Sequence, residues 1–96
     1  MEQITLRSPH SYPLRDLIEG ALANETRLLQ AGIRRTEERL HAYEEKYRLS
    51  TAEFLQKHAD DELNETLDLI DWIGEARMLE RLRQKLAVLQ DIQIAN

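Results

Sequence analysis

LANETRLLQAGIRRTEERLHAYEEKYRL, residues Leu22–Leu49, decides the fold. Leu22, Thr26, Leu29, Ile33, Thr36, Leu40, Tyr43 and Tyr47 recur in alternating steps of four and three. That is the heptad seam of a helix built to lie against another helix, with Thr26 and Thr36 as its two polar interruptions. Arg34, Arg35, Glu37, Glu38, Arg39, Glu44, Glu45 and Lys46 fill positions between and form a solvated face.

Upstream, Leu14, Leu17, Ile18, Ala21 and Leu22 feed the same period, and Pro13 suits a first helical position because its missing N–H is not needed there. One helix is expected over 14–48, about 50 Å long at 1.5 Å per residue. Gly20 and Gly32 interrupt it; each marks either a kink, more plausible near Gly20, or the close approach of a neighbouring helix. Before it, Ser8 to Pro13 breaks regular structure, and Gln3 to Arg7 alternates as a short strand or an extended arm would.

Downstream, Leu49-Ser50-Thr51-Ala52-Glu53-Phe54 reads as a helix start. Ser50 caps, Glu53 can reach back to the Ser50 amide, and Leu49 can staple onto Phe54. A short helix over 51–58 follows, then a polar connection from Ala59 to Asn64. A third helix, over 65–92, carries Leu69, Ile70, Trp72, Ile73 and Ala76 on a helical period, then Leu79, Leu82, Leu86 and Leu89 in steps of three, four and three. Two long helices joined by a short elbow fold back antiparallel. The expected fold is therefore all-α: an extended arm over 1–13 and a helical hairpin domain over 14–96. Its packing seam is Leu22, Leu29, Ile33, Leu40 and Tyr43 against Leu79, Leu82, Leu86 and Leu89. Such a hairpin is one layer thick and half covers its seams, so a homodimeric four-helix bundle is expected.

Composition bounds function by exclusion. The chain has 96 residues, no cysteine and a formal charge of −5, with 42% hydrophobic and 32% charged residues. Disulfides and thiolate metal sites are ruled out, general nucleic-acid affinity is disfavoured, and a basic partner is favoured. No apolar run is long enough to span a membrane, and Met1 to Arg7 lacks the basic start and apolar core of a signal peptide. The cytoplasm is the expected compartment.

Candidate chemistry is thin. Glu38-x-x-His41 has the spacing of di-iron bundle ligands, but the third helix has no histidine to supply the second pair. Arg35 and His41, six residues apart, loosely match the pair of a small helical ribonuclease, in which arginine polarises phosphate and histidine moves a proton. The N-terminal alternation has a faint likeness to strand-pairing ribbon–helix–helix DNA binders, against which stand the long first helix and the acidic chain. Asp60, Asp61, Glu62, Glu65, Asp68, Asp71 and Glu75 run without a base. Carboxylates suit a helix start, yet Asp68 and Asp71 continue beside Trp72, where an acidic rim around an aromatic suits a basic protein. Tyr47, Asp68, Asp71 and Trp72 are the expected partner-binding residues. No catalytic, cofactor or metal site is expected.

Ala42-Tyr43-Glu44-Glu45-Lys46-Tyr47-Arg48-Leu49-Ser50-Thr51-Ala52-Glu53-Phe54 is similar to the aromatic-Glu-x-Lys-Tyr-x-Met-Ser/Thr-x-x-x-Phe stretch of short helical proteins common in cyanobacteria and archaea. The resemblance extends from about residue 28 to about 89, through Leu63, Asp68 and Asp71-Trp72. It departs at Asp61 and Asn64, where those proteins tend to have glycine, which bears on the loop geometry and not on the fold. That family is taken to be the antitoxin half of toxin–antitoxin pairs. The resemblance implies a non-enzymatic module that neutralises a toxin-like partner by direct binding. A structural or adaptor coiled-coil dimer is the second reading and the Arg35/His41 ribonuclease the third.

Overall fold

Glycine-poor heptads and one well-capped elbow give three helices in the computed structural model, which describes residues 2–95: α1 (Leu14–Tyr47), α2 (Thr51–Ala59) and α3 (Leu67–Gln90). α1 and α3 pack against each other as the two arms of the hairpin. The arm before α1 has no regular structure, so the alternation of Ile4 and Leu6 does not make a strand; both side chains are exposed.

The polar interruptions of the seam are resolved locally. Thr26 and Thr36 each donate a hydroxyl hydrogen bond back to the carbonyl four residues earlier, of Leu22 and Gly32, both at 2.9 Å. A buried hydroxyl thereby sits in an apolar seam without an unmade bond. α1 runs unbroken through Gly20 and Gly32. Gly32 is the close approach: a methyl placed there would stand 3.4 Å from the Leu82 side chain.

Capping sets the ends. Arg48 turns left-handed (φ 53) and its amide closes onto the Glu44 carbonyl, so α1 stops at Tyr47, one residue short of the expected end. Ser50 Oγ accepts from the Glu53 amide at 3.1 Å, whereas the Thr51 amide is taken by the Glu44 carboxylate at 2.7 Å. Thr66 Oγ1 accepts the Leu69 amide at 3.2 Å, which moves the start of α3 from the expected residue 65 to Leu67. Asp61, in the connection between α2 and α3, adopts φ 56. Aspartate tolerates that region better than most residues, so the connection closes without glycine.

One core lies at the elbow: Leu40, Phe54, Leu69, Trp72, Ile73 and Leu79, with Ile33, Tyr43, Leu49, Leu63 and Ala76 around it. Away from it the seam thins, and Leu22, Leu82, Leu86 and Leu89 are only half-buried. The molecule measures 59 × 25 × 18 Å with a radius of gyration of 19.1 Å, against about 12.5 Å for a compact chain of this length. It exposes 7988 Å², against about 5,700 Å² for a compact monomer of this mass. The arm accounts for part of that excess. The elongated hairpin accounts for the rest.

Arg48 holds a backbone conformation that costs an L side chain about 1–2 kcal/mol. Arg48→Gly is expected to raise unfolding free energy by about 0.5–1 kcal/mol, once glycine's greater unfolded-state freedom is subtracted. Urea denaturation followed by circular dichroism checks it; no gain means Arg48 is held by contacts that outweigh the strain.

Candidate functional site

The elbow draws together the residues singled out in the sequence, in an order their spacing does not reveal. Trp72 is fully buried between Phe54, stacked at 3.9 Å and 8°, and the rings of Tyr43 and Tyr47 at 5.6 and 5.7 Å. Its Nε1 donates to Thr51 Oγ1 at 3.0 Å. Tyr47, Asp68, Asp71 and Trp72 do converge, but Trp72 belongs to the core and offers no surface of its own. Tyr47 is the ring of the stack that stays 40% exposed.

The acids beside it are engaged within the chain. Arg39 bonds Glu75 at 3.1 Å, Tyr43 donates its hydroxyl to Asp71, and Asp68 accepts from Lys46 at 2.5 Å and from the Tyr47 hydroxyl at 2.6 Å. Each step of four up α1 is answered by three or four residues down α3, which is the register of an antiparallel pair. The ladder perturbs its members. The hydrogen bond to Asp71, with burial second, pushes Tyr43 up to about 12. Donation from Lys46 and then Tyr47 holds Asp68 below the ordinary carboxylate range. The bond to Asp68 raises Lys46 and Tyr47 in turn.

Opposite the ladder, α1 and α3 leave an open groove of about 980 Å³ that α2 closes at one end. Leu40, Leu55, Ala76, Leu79 and Ala87 floor it, and Glu37, Glu38, Glu44 and Glu80 line its rim. The rim's bases are committed: Arg83 pairs with Glu37 at 3.3 Å, and His41 lies 3.8 Å from Glu44 and 3.2 Å from Glu45. A second, smaller depression of about 510 Å³ lies towards the far end of the hairpin, among Leu29, Val88 and Leu89, with Glu25 on α1 and Arg81 and Lys85 on α3. Among the described residues, these three charges form no ion pair within the chain.

His41 is exposed, with both ring nitrogens facing carboxylates, and Arg35 is exposed on the same helix. Among the described residues no three His, Cys, Asp or Glu side chains are placed to hold a metal ion, Glu38 and His41 included. No described helix is long and apolar enough to cross a membrane. No protein-family model matches the chain, and neither a curated protein nor a solved structure matches it.

The groove was missed by sequence reasoning. Its floor mixes two seam leucines with three small or isolated apolar residues on three helices, and only the tertiary fold brings them to one trough. Ala76 and Ala87, eleven apart on α3, were the available hint.

The raised Tyr43 value means its bond contributes fully below the ordinary 10.0 and is lost as pH climbs through about 12. The depressed Asp68 value has the opposite sense: its contribution holds above the ordinary carboxylate range and fades as acid protonates it. Absorbance titration at alkaline pH should show a late phenolate step near pH 12, beyond the raised step of Tyr47, that Tyr43→Phe removes. Its survival in that variant would place the late phenol elsewhere.

Proposed function

We propose that this chain is a non-enzymatic protein-binding module of antitoxin type, a cytoplasmic homodimer that neutralises a partner by direct binding. The observation that carries this is surface without cover. An elongated hairpin leaves two apolar troughs and keeps Leu28 at 60% and Val88 at 65% exposure. A stable protein interface needs about 800 Å² from each side, which the excess surface supplies. The resemblance adds the antitoxin class, and the structural duties of its motif residues support it as a likeness of fold. Tyr43, Tyr47 and Phe54 build the stack, Glu44 takes the Thr51 amide, Lys46 holds Asp68 and Ser50 caps α2.

The far-end depression favours a second copy as its occupant. Glu25 lies on one flank of the Leu29, Val88 and Leu89 strip, with Arg81 and Lys85 on the other. In a two-fold pairing each flank meets its opposite, which is the self-complementarity an isologous contact requires. This pairing would extend the hairpins into a four-helix dimer. The same surface serves the adaptor reading, in which the dimer is the whole function. The catalytic reading gains less, because His41 lies on an open helix face with carboxylates at both nitrogens.

Two measurements check the proposal. Sedimentation equilibrium should give a particle of twice 11.3 kDa. Glu25→Arg should weaken it, Arg81→Glu likewise, and the two together should restore it. Co-expression with the product of the adjacent gene should yield a stable complex and relieve any growth arrest that product causes. An intact dimer with no capture and no relief decides for the adaptor reading. RNA cleavage by the pure chain, lost in His41→Ala with helicity retained, decides for the ribonuclease.

A further inference from the structure

We propose that the groove between α1 and α3, beside α2, is the docking site for a basic amphipathic helix of the protein partner. This deepens the protein-binding reading and rests on it. It also moves the contact away from Asp68 and Asp71, whose carboxylates are already occupied by Lys46, Tyr47 and Tyr43.

The shape argument starts from the trough. Its α3 wall runs from Ala76 to Ala87, roughly 17 Å at 1.5 Å per residue, the length of about three helical turns. The floor is apolar, and Ala76 and Ala87 leave room where larger side chains would fill it. α2 already lies at one end of this trough, contributing Ala52 and Leu55, while its Phe54 reaches the core. A further short helix laid along the remaining length would cover Leu55, which is 38% exposed, and lie over the already buried Leu40 and Leu79. Helix-in-groove recognition has these dimensions and this apolar floor.

Charge selects the occupant. Four glutamates border the trough: Glu37, Glu38 and Glu44 from α1 and Glu80 from α3. The arginine on the rim, Arg83, is spent on Glu37, and His41 lies against Glu44 and Glu45. Glu38 and Glu80 make no ion pair among the described residues. A second copy placed here by a two-fold axis would set glutamate against glutamate, unlike at the mixed-charge far-end depression. A helix with leucines on one face and lysines or arginines on its flanks meets the floor and the rim together. Its flanking charges would govern association rate and salt sensitivity.

The test uses a fluorescein-labelled synthetic helix of about four turns, leucine on one face and lysine elsewhere, read by fluorescence anisotropy against the full chain. A matched peptide with glutamate in place of lysine is the control. The lysine peptide should bind saturably and the glutamate peptide should not. Glu38→Lys with Glu80→Lys should weaken binding by roughly tenfold or more, the scale of two rim charges turned repulsive. Ala87→Trp should block it by filling the trough, with helicity retained by circular dichroism. Asp60→Lys with Glu62→Lys, equal in charge change but located in the connection, should leave binding unchanged. Equal loss in the rim and connection variants would mean attraction to net charge alone and overturn the site, as would failure of the lysine peptide to bind. A change in sedimenting mass on Glu38→Lys with Glu80→Lys would make the trough a self-interface, which also overturns it. If the adjacent gene product binds the rim variant as well as the parent, the groove falls while protein binding stands. If the peptide seats in the groove but no gene product is captured, the groove stands and the antitoxin reading falls.

Discussion

Trp72 carries a large ring and a single N–H donor, and the hairpin commits both. The ring lies between Phe54 and the two tyrosines of α1, and Nε1 donates to Thr51. One side chain thus ties all three helices, since α1 supplies Tyr43 and Tyr47, α2 supplies Thr51 and Phe54, and α3 supplies Trp72 itself. Truncating a buried ring of this kind typically costs roughly 3–5 kcal/mol, a large share of what a domain this small can hold in reserve. The elbow is where the chain's stability concentrates, and everything beyond it is held by fewer and thinner contacts.

That concentration shapes the rest. A ladder of Arg39–Glu75, Tyr43–Asp71 and Lys46–Asp68 registers α1 against α3 on one edge of the elbow, with Arg83–Glu37 on the other. Exposed pairs of this kind contribute little each, but they fix which residue faces which. Further out, the carbonyl of Ile94 receives Arg15 at 2.9 Å, so the tail after α3 runs back along the first turns of α1. With registry set by the elbow, two troughs are left along the hairpin, and their charges differ. The far-end depression is flanked by opposite signs, and the groove beside α2 by glutamate.

The architecture was legible because two signals were strong: the alternating steps of four and three from Leu22 to Tyr47, and the cap at Ser50. Both depend on local chemistry that a linear chain displays. The helix ends were read less well, since Arg48 turns left-handed without being glycine and Thr66 caps α3 after a polar stretch that blurs its start. The sequence does not display that Lys46, Tyr43 and Tyr47 bond Asp68 and Asp71, since they lie twenty or more residues away and are adjacent only in the antiparallel register. Burial of Trp72 followed from the same pairing. A large aromatic near acids looks alike in sequence whether it faces a partner or its own core.

The stretch from Tyr43 to Phe54 is committed to the elbow. Its aromatic rings stack, its glutamate and serine cap α2, and its lysine anchors Asp68, so nearly every position that carries the resemblance has a structural duty. Substituting residues with such duties would loosen the elbow. Glu38, Leu55, Glu80 and Ala87 have no such duty: they line one trough, all lie outside the stretch, and none is among the buried core. A fold held at one end by stacked aromatics can take substitutions along the trough while keeping its shape.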